Sequence, residues 1–111
     1  MTESNRRIFP RAEGEYAAWF QLPGQSFEQC VALDIGIDGA CLRVSRKLPV
    51  EASFEVDFQL APDWLVRASA QVLWQKPEGE LILTGIRYRP ERSADRSLMG
   101  PWVHRQRKAQ A

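Results

Sequence analysis

The chain has 111 residues, of which 44% are hydrophobic, 26% charged and 10% aromatic. That is the size and composition of one globular domain with one modest core, and it excludes a wholly disordered chain. No apolar run approaches the ~18 residues that cross a bilayer, residues 1–11 lack the apolar segment of a signal peptide, and two cysteines are too few for a disulfide-dense scaffold or a four-cysteine zinc site. A cytoplasmic protein is the expectation. Cys30 and Cys41 read as small core residues, a disulfide between them being the alternative.

The formal net charge of +1 averages over a gradient. Arg6, Arg7 and Arg11 make the start of the chain basic, residues 12–90 carry seven basic and eleven acidic side chains, and residues 91–111 are basic again. A stripe for duplex DNA would run through the body as well. Arginines concentrated at one point suit a compact anion better than a long polyanion. Solubilising charge on the two ends is the plainer alternative.

Residues 1–12 read as a flexible basic arm, residues 13–90 as a β domain and residues 91–111 as a basic, partly helical tail. Within the body, Glu15 to Leu22 is an aromatic-rich strand closed by Pro23-Gly24. Gln29 to Ile35 follows, with Val31, Leu33 and Ile35 assigned to one face. A glycine-bearing turn, Gly36-Ile37-Asp38-Gly39, leads to a strand with Leu42 and Val44 in register. Phe54, Val56 and Phe58 alternate with Glu55, Asp57 and Gln59, the period of a strand with one solvated face. Val66 to Trp74 is a long strand with Trp74 as a core residue beside Val72. Trp64 falls in the preceding loop, placed to cover a barrel mouth, and Trp19 with Phe20 serves either the core or a partner surface. Leu81 to Tyr88 is the last strand, where Gly85 marks a bulge, a bend or a close contact. Gly100-Pro101 splits the tail, and Pro101 fits the first turn of a short final helix.

Six short strands with connections too brief for helical crossovers define an all-β fold. Closure into a six-stranded antiparallel β-barrel removes the free edges that a flat sheet would leave.

Two segments carry chemistry. Arg7-Ile8-Phe9-Pro10-Arg11 is an R-x-x-x-R spacing preceded by Arg6, and Pro10 biases it away from helix. A guanidinium grips phosphate through a planar fork of donors and stacks on a purine through its flat face. Asp34-Ile35-Gly36-Ile37-Asp38-Gly39 puts a carboxylate at a strand end beside two glycines. Asp34 can accept from the two-donor edge of guanine, or cap its own turn. Its acids lack the density and closing Glu of a calcium loop. His104 stands alone in the tail, and no nucleophile–base pair or phosphate-binding loop is present. The reading is a binding module with no catalytic chemistry, no metal and no cofactor.

These two motifs in this order resemble the signature of the PilZ domain, the bacterial receptor module for cyclic di-GMP: R-x-x-x-R, then D/N-x-S-x-x-G. Ala70-Gln71-Val72-Leu73-Trp74 resembles the family's x-x-V-x-W strand, and Gly85-Ile86-Arg87-Tyr88 its closing G-I/V-x-F strand. The resemblance covers roughly residues 5–90. It implies a PilZ-like split barrel with a short C-terminal helix. It implies that Arg7 and Arg11 hold phosphates and guanine faces, that Asp34 meets a guanine edge, and that Gly39 shapes the turn. Arg6 occupies the position that influences whether one ligand or a stacked pair binds. Gly36 replaces the family's serine, and losing one hydroxyl contact to a charged group costs on the order of 1.5–3 kcal/mol, roughly tenfold to hundredfold in affinity.

The function implied is a cyclic di-GMP receptor or adaptor. It would change surface on binding and signal to a separate, unidentified protein in motility, biofilm or exopolysaccharide control, as a monomer or weak dimer. Two alternatives stand beside it: a degenerate PilZ-like interaction module that binds no nucleotide, and a single-stranded nucleic-acid barrel using strand aromatics. The acidic body disfavours the second.

Overall fold

The computed structural model describes residues 11–110. Six strands run β1 (Arg11–Gln21), β2 (Glu28–Gly36), β3 (Gly39–Val44), β4 (Ser53–Ala61), β5 (Trp64–Glu78) and β6 (Leu81–Pro90), followed by the helix α1 (Ser93–Gln110). All neighbours are antiparallel, and they close into a barrel in the order β1-β2-β3-β6-β5-β4. The expected six-stranded antiparallel barrel with a C-terminal helix is the observed fold. Arg11 and Ala12, expected in the arm, are the first residues of β1.

The interior follows from the period of two. Ala18 and Phe20 of β1, Leu42 and Val44 of β3, Phe54, Val56 and Phe58 of β4, Val66, Ala68 and Ala70 of β5, and Ile86 and Tyr88 of β6 all point inward and are buried. Phe20 meets Phe54 edge-on, and Phe58 meets Tyr88 in the same way. Cys30 and Cys41 are both buried and both free. Burial pushes the Cys30 thiol up to about 12, with Glu28 adding to the shift.

The ladders shift register at four places, between Glu13 and Tyr16 on β1, Ala32 and Asp34 on β2, Gln59 and Ala61 on β4, and Val72 and Trp74 on β5, and those on β2 and β5 set the facing of the outer wall. On β2 the register slips between Ala32 and Asp34, so Leu33 is a surplus residue. On β5 it slips between Val72 and Trp74, so Leu73 is surplus. Each bulge reverses which side chains face outward beyond it. The inward residues of β2 are therefore Cys30 and Ala32 before the bulge and Ile35 after it, not the expected Val31, Leu33 and Ile35. Trp74 likewise leaves the core and is 47% exposed.

The tail differs from its expected boundary. α1 begins at Ser93, and Pro101 lies inside it. An internal proline costs a helix about 3 kcal/mol. Here Met99, Trp102 and Val103, on either side of it, join the barrel core and offset that cost. Trp102 meets the edges of Tyr16 and Trp64, and Trp64 donates its indole N–H to the buried Asp95 at 2.9 Å. Trp64 is thus the first residue of β5, not a loop residue, and it helps α1 seal the interior. Asp95 in the first turn and Arg107 and Lys108 in the last complement the helix dipole.

Candidate ligand site

The β2–β3 turn and the start of β1 converge on the outside of the barrel. Arg11 pairs in register with Gly36, and Glu13 with Asp34. The Leu33 bulge turns the Asp34 side chain out of the barrel and onto the same face as Arg11. Arg11 Nη1 donates to Asp34 Oδ1 at 2.9 Å. The two side chains are only 25% and 12% exposed, so this charge-assisted bond is partly shielded from water.

Gly39 shows why a side chain is excluded there. A Cβ on it would lie 2.9 Å from Arg11 Nη2 and 3.2 Å from the Ile86 carbonyl oxygen. The guanidinium of Arg11 rests on bare backbone at Gly39. Neither Gly36 nor Gly39 has a positive φ, so it is close approach, not unusual backbone geometry, that calls for glycine at position 39.

The turn is tied down from beneath. The Tyr88 phenol donates to the Gly36 carbonyl oxygen, and the Tyr88 backbone N–H donates to the Asp38 carbonyl oxygen at 3.0 Å. Burial raises the Tyr88 phenol above its ordinary range, Asp38 adds to this and Arg11 opposes it.

One lateral row runs across the outer wall from this turn. Asp34 pairs with Cys41, Cys41 with Gly85, and Gly85 with Trp74. The Trp74 indole covers Gly85 so closely that a Cβ there would lie 2.1 Å from Nε1. Gly85 is thus the close contact that the sequence suggested, and the bulge lies opposite it on β5. The row begins with a carboxylate and ends with a half-exposed indole, with no large side chain between.

Of the six residues expected at the site, Arg11, Asp34, Gly36 and Gly39 come together here. Arg6 and Arg7 lie outside the described residues. Sequence reasoning missed Trp74 as a site residue because strict alternation from Val66 sends it inward. It also missed Tyr88 as the support of the turn. Among the described residues, no group of three or more His, Cys, Asp or Glu is placed to hold a metal ion, and no helix is long and apolar enough to cross a membrane.

The sequence matches no family model and no curated protein. Solved structures do match. The chain is similar to the Bacillus subtilis inhibitor of motility MotI/DgrA, with a TM-score of 0.79 and 14% identity over 94% of this chain and 52% of that one. It is similar to Escherichia coli YcgR in complex with c-di-GMP, with a TM-score of 0.77 and 14% identity over 95% of this chain and 48% of that one. It is also similar to the PilZ domain of E. coli YcgR with c-di-GMP, with a TM-score of 0.64 and 15% identity over 95% and 94% of the two chains. The chain spans about half the length of the first two proteins and nearly all of the isolated domain. At these identities the shared property is the fold, a six-stranded PilZ-type barrel.

Proposed function

We propose that this chain is a cyclic di-GMP receptor whose ligand lies on the outer wall beside the β2–β3 turn. The observation that carries this reading is the Arg11–Asp34 pair, held at 2.9 Å above Gly39. A cyclic dinucleotide needs phosphate donors, a carboxylate for the guanine N1–H and N2–H₂ edge, and an apolar surface for a base. Arg11 offers the first, Asp34 the second, and the indole of Trp74 the third. The barrel shared with two structures described as holding c-di-GMP supports the same ligand class.

Arg6 and Arg7 precede Arg11 in the sequence and would bring further charge to the phosphates. Recruitment of Arg6 and Arg7 to the phosphates would change the surface offered to a separate protein, the proposed output. Gly36 lies on the outward side of β2, where the family's serine would add a hydroxyl. Its absence weakens binding without removing the charged contacts.

Calorimetric titration of cyclic di-GMP into the protein tests this. Binding with a defined stoichiometry is expected, with Arg11→Ala and Asp34→Ala each weakening it by roughly tenfold or more. No heat at high micromolar ligand overturns the receptor reading and leaves the nucleotide-free interaction module in its place.

A further inference from the structure

We infer that Arg87 is a further phosphate-contacting residue of this site, and that Gln71 positions it; this rests on the receptor reading above. Ile86 and Tyr88 point into the core, so Arg87 between them points out, and it is exposed. Its register neighbour on one side is Gly39 and on the other Gln71. Arg87 therefore starts about one strand spacing, ~5 Å, from the glycine on which the Arg11 guanidinium rests. Two arginines flank a strip that has no side chain of its own.

The hydrogen bonds of Arg87 leave it equipped for an anion. Nε and Nη2 both donate to Gln71 Oε1, at 3.0 and 2.7 Å. This grip uses the Nε side of the guanidinium and fixes its plane. The opposite edge, Nη1 with the second N–H of Nη2, remains a pair of parallel donors matched to two phosphate oxygens.

The acceptor is also neutral. Arg11, Arg43, Arg46 and Arg67 each have a carboxylate oxygen within 3.1 Å. Arg87 is held by an amide, and among the described residues no carboxylate forms an ion pair with it. A dianionic cyclic dinucleotide laid beside the Arg11–Asp34 pair meets a cation already offset by an anion. Arg87 supplies charge that is not offset, at the adjoining position, and the amide aims it without cancelling it.

The test uses the full chain and cyclic di-GMP in calorimetry, with melting temperature as the fold control. Arg87→Ala is expected to weaken binding roughly tenfold to hundredfold while the melting temperature holds, because the side chain is exposed. Gln71→Glu separates charge from geometry. It keeps an acceptor at the same place but gives Arg87 an anionic partner, and binding is expected to weaken, less at high salt than at low. A merely structural Arg87–Gln71 contact predicts the reverse: Gln71→Glu binds as tightly as the parent. Arg87→Ala binding like the parent while Arg11→Ala fails overturns the role of Arg87 and leaves the receptor reading intact. Absence of binding by the parent protein overturns both.

Discussion

Strand β5 belongs to two different walls. From Leu65 to Gln71 it pairs with β4 in unbroken register, and inward and outward residues alternate. Asp57 of β4 accepts two bonds from Arg67 of β5, at 3.1 and 3.2 Å. Beyond Val72 the strand bulges, and the wall it forms with β6, β3 and β2 presents Asp34 and Trp74 outward instead. A regular ladder closes the barrel and settles its own surface. The bulged ladder, with one surplus residue on each side of the β3–β6 pair, places polar and aromatic side chains where alternation would have hidden them. Asp34 and Trp74 reach the outer wall because β2 and β5 each carry a surplus residue.

The sharpest way to break that contrast is to remove a bulge. Inserting an alanine between Gly85 and Ile86 gives Leu73 a partner on β6, restores simple alternation along β5 and turns Trp74 toward the interior. No room exists there, since Val72 and Thr84 are already buried in a closed wall. Either the indole is forced inward or the strand shifts register against β6, and each route costs on the order of 4 kcal/mol or more. Urea denaturation should show a large drop in midpoint or loss of a cooperative transition. An insertion variant that melts like the parent would mean that the bulge does not set the facing of Trp74.

The same slips explain what was readable in the sequence. Strand number and the β2–β3 hairpin follow from period-two runs and turn residues, and the resemblance to the PilZ motifs grouped Arg11, Asp34 and Gly39. Facing was not readable beyond residues 33 and 73. Leu33 and Leu73 are apolar and look like ordinary strand members, so nothing in composition marks them as surplus. Trp74 accordingly read as core. Gln71 and Arg87 received no site role from the sequence, because their meaning comes from lateral neighbours on other strands. The tail was misjudged for a different reason: Gly100-Pro101 is a strong local breaker, and only the tertiary burial of Met99, Trp102 and Val103 overrides it.

A smaller effect is expected beneath the site. Tyr88→Phe keeps the edge contact with Phe58 but removes the donor to the Gly36 carbonyl oxygen. A buried carbonyl left without its partner costs about 1–3 kcal/mol. If the bulged wall depends on this tether, the substitution lowers cyclic di-GMP affinity as well as the melting temperature. An equivalent loss of stability with unchanged affinity would show that the turn keeps its geometry without the phenol.

The smallest effect at neutral pH separates the two walls by titration. Cys30 lies on the regular β1–β2 stretch opposite Ala18, and Tyr88 lies under the bulged one. Burial raises both groups, Cys30 from 9.0 to about 12. Each therefore keeps its proton in the folded state at a pH where the unfolded chain has begun to release it. The stabilisation is complete below about pH 9 and is lost as pH climbs toward the folded values, by at most ~1.4 kcal/mol per pH unit for each group. Urea midpoints should be level from pH 7 to 8.5 and fall above pH 9. Cys30→Ala should flatten the first part of that fall, and Tyr88→Phe the part above pH 10. An alkaline profile that neither substitution alters would place the sensitivity elsewhere in the barrel and remove the link between these two buried acids and their walls.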